Sequence, residues 1–217
     1  MFWRKLFRKK ALPLPETTPQ NKTLAIIDAA YLTSIAHKVD ITRLNGVIEH
    51  IAGEKPYNTV WFTSFAPSGN DVGFVEALKR GGIEVVQYHH GARTSKCTKC
   101  GHVDEFIVQK GVDVGIAIRV MNELYSDSFS RLVFIAGDGD FSELLSIVRK
   151  KGKEVVLIGT RRTTSKFLIA AVGGFVEFSE HFLRICTYGR LDTNDFKHWI
   201  GIQKSNLLRK NAAETAA

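Results

Sequence analysis

The chain has 217 residues, 44% hydrophobic and 24% charged, with a formal net charge of +8. That is enough for one well-filled core with tails, and the composition excludes a disordered, collagenous or disulfide-scaffold protein. No apolar run approaches the roughly 20 residues that cross a bilayer, so no transmembrane segment is expected.

The first ten residues hold Arg4, Lys5, Arg8, Lys9 and Lys10, interleaved with Phe2, Trp3 and Phe7. Cations mixed with aromatics suit contact with RNA or with an anionic membrane surface. Pro13, Pro15 and Pro19 set this arm apart, so residues 1–21 read as a basic arm and a Pro-containing linker. Leu24 to Ile27 reads as a buried strand ending at Asp28, and Leu44, Val47, Ile48 and Ile51 mark one helix face that stops near Gly53. Thr59 to Phe65 is the second strand. Asn70 or Asp71 can cap a helix carrying Phe74, Val75 and Leu78, closed by Gly81 and Gly82. Ile83 to Tyr88 is the third strand, and residues 89–105 read as a polar insertion.

From Gly111 a long helix is expected, with Val112, Ile116, Ile118, Val120 and Leu124 as its apolar residues. Leu132 to Ala136 is the fourth strand, and its helix runs to about Lys151. Glu154 to Ile158 is the fifth, followed by a helix near 165–172 and a short strand from Phe175 to Phe178. This alternation predicts one α/β domain over residues 22–185. It would be a three-layer α/β/α, Rossmann-like fold with a mostly parallel sheet ordered 3-2-1-4-5 and a Cys-x-x-Cys insertion. Residues 186–217 are a C-terminal extension; Phe196, Trp199, Ile200 and Ile202 suit an ordered docking element, and the last residues look disordered.

Asp28 and Asp138 end strands that are neighbours in such an order, where open parallel sheets bind ligands. Asp113, near the start of the helix preceding the fourth strand, returns to the same edge. Asp140 follows Asp138 by two, and a helix N-cap accounts for it as well as a ligand role does. Several carboxylates in one crevice repel one another unless a cation intervenes, and Mg²⁺ or Mn²⁺ is the hard ion that oxygen donors favour.

Ile26-Ile27-Asp28-Ala29-Ala30-Tyr31-Leu32, Lys110-Gly111-Val112-Asp113-Val114 and Ala136-Gly137-Asp138-Gly139-Asp140-Phe141 together resemble the NYN-domain, or LabA-like, family of PIN-like ribonucleases. Ser165 with Leu168 is similar to the Ser-x-x-Leu helix start of that family. The resemblance implies a PIN-like fold and a metal-dependent endoribonuclease that hydrolyses RNA. Asp28, Asp113, Asp138 and Asp140 would then be its catalytic, metal-holding carboxylates. The family usually has Asp-Gly-x-Asn-Leu in the first motif, where this chain has Ala29 and Tyr31; that favours, as an alternative, a catalytically weak RNA-binding or regulatory relative. A haloacid-dehalogenase-like phosphatase also uses strand-end aspartates. Its motif needs a second Asp at position 30, which is Ala30 here.

Cys97-Thr98-Lys99-Cys100-Gly101-His102 has the spacing of a zinc knuckle, and His89, His90 or His102 would have to supply the remaining ligands of a structural Zn²⁺. Arg161 and Arg162 follow the fifth strand to the acidic edge and are the expected phosphate contacts, with Tyr31 available to stack on a base. Three cysteines without a disulfide framework point to a reducing, cytoplasmic setting. The sequence leaves monomer and homo-oligomer open.

Overall fold

A computed structural model describes residues 22–36, 39–65 and 72–178. The basic arm, Asn70 and Asp71, Cys186 and the C-terminal extension lie outside the described residues. In chain order the elements are β1 (Thr23–Asp28), α1 (Ala29–Ile35), α2 (Ile41–Ala52), β2 (Asn58–Phe65), α3 (Val72–Arg80), β3 (Glu84–Lys96) and β4 (Val103–Gln109). There follow α4 (Val112–Tyr125), β5 (Arg131–Ile135), α5 (Ser142–Lys150), β6 (Glu154–Gly159), α6 (Lys166–Ala171) and β7 (Gly174–Glu177). The seven strands form one sheet in the order β4-β3-β2-β1-β5-β6-β7. Every neighbouring pair is parallel except β3 and β4.

The middles of the central strands are apolar on both sides because both faces are covered. Ala25 and Ile27 of β1 pack with Leu44, Val47 and Ile48 of α2 and with Leu78 of α3. Leu24 and Ile26 point the other way, toward Ile116 and Val120 of α4, Leu145 and Val148 of α5 and Leu168 of α6. Asp40 caps α2 by accepting the Arg43 amide at 3.1 Å, and Gly53 closes it at φ +74°, a conformation that favours glycine. In α4, Val112, Ile116, Val120 and Leu124 are buried at four-residue spacing. Ile118, another apolar residue of this helix, is 56% exposed. Two residues turn a helix by about 200°, so Ile118 lies opposite Ile116.

Two elements lie beyond the expectations from sequence. The short helix α1 carries too few residues for a periodic signal, and it follows β1 directly. The polar stretch 89–105 is no loop: β3 continues to Lys96 and returns as β4, with Lys96 opposite Val103 and His90 opposite Gln109. Its residues from Ala92 to Glu105 are exposed, so hydrogen bonding made these strands without any apolar alternation to announce them.

At the edge where β2 and β3 begin, Arg119 of α4 donates to both carboxylate oxygens of Glu84 at 2.7 Å and to Glu123 at 2.9 Å. This fork holds α4 against β3 and so fixes where the other end of α4, with Asp113, meets the sheet.

Candidate metal centre at the carboxyl edge of the sheet

Asp28 is the last residue of β1 and only 7% exposed. Its Oδ1 accepts the amides of Ala30 at 2.9 Å and Tyr31 at 3.2 Å, so it caps α1 and its orientation is fixed. Burial pushes its carboxyl above the usual range and outweighs the two amide bonds; the charges of Asp113 and Asp138 push the same way. Asp113, exposed in the first turn of α4, is also raised, by partial burial of its carboxyl and then by Asp138 and Asp140. The structure thus brings the four predicted carboxylates into one electrostatic cluster beyond the ends of β1 and β5. No positive group is among the charges acting on Asp28 or Asp113.

Between β5 and α5, residues Gly139–Phe141 form a single 3-10 turn. Its cap is Asp138, which accepts the Asp140 amide at 2.9 Å. The capping role expected of Asp140 therefore belongs to Asp138, and Asp140 is left exposed. A capped Asp138 has one oxygen committed to the turn and one to spare, as Asp28 has.

Among the described residues, no three His, Cys, Asp or Glu side chains close to the spacing of a complete metal shell. The donor chemistry nevertheless fits a hard divalent cation. Mg²⁺ keeps several waters and commonly binds through one or two carboxylates plus substrate phosphates, so an open set suits it. Two buried polar atoms without hydrogen-bond partners among the described residues add to the fit: Ser64 Oγ and His90 Nδ1. Ser64 lies two residues beyond Phe62, which pairs with Asp28, so it shares the α4 side of the sheet with Asp28. His90 lies one residue beyond the last β2–β3 pair and on the same side as Tyr88 and Ser64. Ser64 was not singled out from the sequence; the available signal was a pair of polar residues, Thr63 and Ser64, ending an otherwise buried strand.

Leaving a hydroxyl buried and unpaired costs about 1–3 kcal/mol. Ser64→Ala is therefore expected to raise the stability of the metal-free chain by about 1 kcal/mol in urea unfolding. A loss of that size would mean the hydroxyl is already satisfied.

Tyr31, expected to be available for stacking on a base, turns its ring inward. It is buried, and its hydroxyl accepts the Thr160 amide at 2.9 Å and lies 2.7 Å from Thr164 Oγ1 and 3.2 Å from Thr163 Oγ1. The ring fills the space left by two glycines: a Cβ at Gly137 would sit 2.1 Å from its Cε2, and one at Gly159 2.6 Å from its hydroxyl. Tyr31 thus ties the segment after β6 to the one carrying Asp138. Arg161 is also engaged. Its Nε donates to Glu177 at 2.9 Å and its guanidinium lies over Phe175 at 5.3 Å, because β7 runs beside β6 and brings Glu177 level with Gly159. Arg162 is exposed and has no partner among the described residues.

The expected zinc ligands do not assemble into a group of three or more among the described residues. Cys97 and Cys100 sit exposed at the tip of the β3–β4 hairpin. At 3.3 Å per residue, His90 lies about 23 Å back along β3, and His89 further still. His102 is at the tip, with Nε2 3.0 Å from Asp104. The amides of Cys100 and Lys99, and then the Cys100 thiol, hold the Cys97 thiol below the usual range.

Comparison with known proteins agrees with the fold. A solved structure of a protein of unknown function from Vibrio parahaemolyticus superposes with a TM-score of 0.57 at 22% identity, covering 74% of this chain and 94% of that one. A ribokinase from Giardia lamblia reaches a TM-score of only 0.40 at 10% identity, covering 82% of this chain and 64% of that one. At such a score it bears on nothing here. No curated protein matches the chain in sequence. The NYN domain family model matches residues 22–182, which takes in β1 with Asp28, α4 with Asp113 and the turn with Asp138 and Asp140. The chain belongs to the NYN-domain family, and its α/β architecture is that of the PIN-like nucleases.

Proposed function

We propose that the chain is a metal-dependent endoribonuclease of the LabA-like group that hydrolyses RNA phosphodiester bonds at the carboxyl edge of β1 and β5. The observation that carries this reading is the carboxylate cluster at this edge, where burial and then the charges of neighbouring aspartates raise Asp28 and Asp113 with no positive group opposing them. Asp28, Asp113 and Asp138 would hold Mg²⁺ or Mn²⁺, with Asp140 as a further ligand or an outer carboxylate. Bound there, the ion supplies an acidified water and offsets charge developing on the phosphoryl oxygens. Asp28 and Asp138 each present the oxygen that their caps leave unused. Arg162 offers a fork for a backbone phosphate, and the Ser64 hydroxyl gives a donor inside the crevice. A reducing cytoplasmic setting suits the exposed thiols of Cys97 and Cys100.

A second reading, RNA binding without cleavage, is favoured by Tyr31, whose ring and hydroxyl occupy the position of the usual Asn with a structural task. The two readings part in one experiment. The purified chain is incubated with end-labelled single-stranded RNA in Mn²⁺, in Mg²⁺ and in EDTA, with a small phosphate monoester in parallel. Internal fragments in metal and none in EDTA are expected. Retained but intact RNA would move the assignment to the second reading, and phosphate released from the monoester would overturn both.

The same cluster sets a pH-dependent stability. Asp28 and Asp113 ionise from 3.8 when unperturbed and with more difficulty in the folded chain. The native state therefore holds these protons more tightly than the unfolded state. Stability of the metal-free chain falls as pH rises from 3.8 through the raised native values, then levels. A cation bound to the ionised cluster reverses the loss. At 100 times its Kd it adds about 2.7 kcal/mol, roughly 5–10 °C in Tm for a domain of this size. Calorimetry in Mn²⁺ should show that rise near neutral pH and almost none near pH 4. An equal rise at both would place the ion elsewhere.

A further inference from the structure

The β3–β4 hairpin carries chemistry that the acidic cleft does not use. Residues 92–105 are exposed, so the ribbon leaves the domain with neither face packed. A two-stranded ribbon alone is marginal in water, yet this one ends in an ordered turn. The Cys97 amide donates to the His102 carbonyl at 2.8 Å, and the Gly101 amide returns to the Cys97 carbonyl at 2.9 Å. Gly101 makes the reversal at φ +72°, a backbone that favours glycine. Within the turn, the amides of Cys100 and Lys99 and then the Cys100 thiol hold the Cys97 thiol below its usual range, so the two thiols stand close in one exposed turn.

A structural zinc takes four ligands in a tetrahedron, and this turn supplies two. No third ligand joins them among the described residues. The nearest histidine has its Nε2 on Asp104, and the β3 histidines are a strand length away. What one tip lacks, a second tip has.

We propose that Cys97 and Cys100 form half of a Zn(Cys)4 centre, completed by the same two residues of a second copy of the chain, so that two hairpins meet tip to tip across a two-fold axis. Isologous pairing of this kind uses one surface twice and closes at two copies. Because the tip projects, the rest of the domain need not meet its counterpart. Four thiolates around Zn²⁺ leave two negative charges, and Lys96 and Lys99, next to the cysteines in each chain, bring cations that offset them. Val103, 55% exposed at the last β3–β4 pair, gives the contact an apolar flank. So small a contact falls well short of the area of a stable interface, so the metal must hold it.

The test uses the full chain, purified without chelator in a non-thiol reductant, with zinc measured by elemental analysis and mass by light scattering. Half a zinc per chain and a dimer are expected. A strong chelator should remove the zinc and halve the mass, and added Zn²⁺ should restore both. Cys97→Ser and Cys100→Ser should each give a zinc-free monomer with an unchanged circular dichroism spectrum. Cys186→Ser and Asp138→Asn should leave stoichiometry and mass as they were, which separates this centre from the acidic site. One zinc per monomer, no zinc at all, a dimer that survives chelation, or loss of zinc in Cys186→Ser would each overturn the proposal.

Discussion

Asp138→Asn lowers RNA cleavage in Mn²⁺ by about 10²–10³-fold, equivalent to roughly 3–4 kcal/mol of lost transition-state stabilisation. The expectation is clean because the substitution spares the fold. Asn caps about as well as Asp, so the Asp140 amide keeps its acceptor and the 3-10 turn persists. What disappears is one charge from the cluster that raises Asp28 and Asp113. The metal-free protein should therefore melt slightly higher than the parent, while its response to Mn²⁺ shrinks. Asp28→Asn should behave alike, since the carboxamide oxygen of the new side chain would still accept the two amides of α1. Asp140→Asn should cost less than 10-fold, because Asp140 caps nothing and acts on Asp113 alone among the two raised carboxyls. Single-turnover cleavage by purified variants is the measurement. Equal rates for Asp138→Asn and the parent would mean that the fragments come from elsewhere than this cluster.

Tyr31→Phe costs about 2 kcal/mol of folding stability, roughly 4–8 °C in Tm. The ring stays against Gly137 and Gly159, but the Thr160 amide and the buried Thr164 hydroxyl lose their shared partner. Tyr31→Asn, which restores the residue usual in the family pattern, should be worse, at about 3–5 kcal/mol. Here the amide would be too short to fill the ring's space, and the two glycines would face a cavity. A Tyr125→Phe control, at a side chain 95% exposed, should leave the melt within about 0.5 kcal/mol of the parent. If Tyr31→Asn instead matched the parent in stability and gained cleavage, Tyr31 would be a lost catalytic position and not a strut.

The legible part of this protein was whatever one segment decides by itself. Leu24 to Ile27 and Leu132 to Ile135 are buried on both faces, and a run of such residues has few other places to go. The four aspartates could be listed because carboxylates at strand ends and helix starts stand out against apolar neighbours. The illegible parts depended on partners far along the chain. Nothing in the stretch from Ala92 to Glu105 signals a hairpin, since its residues are exposed and its pairing is between backbones. Arg161 looked free until β7 brought Glu177 beside it. Ser64 falls within the expected second strand, and only the folded sheet buries its hydroxyl.

The sequence by itself determined a mixed α/β domain with a mostly parallel sheet, and it named the residues able to carry metal chemistry. Local periodicity and residue type are properties of neighbours in the chain, and those survive reading in one dimension. Only the tertiary structure decided which of Asp138 and Asp140 caps the turn, and that Tyr31 is a buried strut 129 residues away from the Thr160 amide it holds. It also placed Cys97 and Cys100 at an exposed hairpin tip, with no third metal-ligating side chain beside them among the described residues. Those outcomes turn on where hydrogen-bond partners and empty volume meet in space, and separate segments must fold together before either exists.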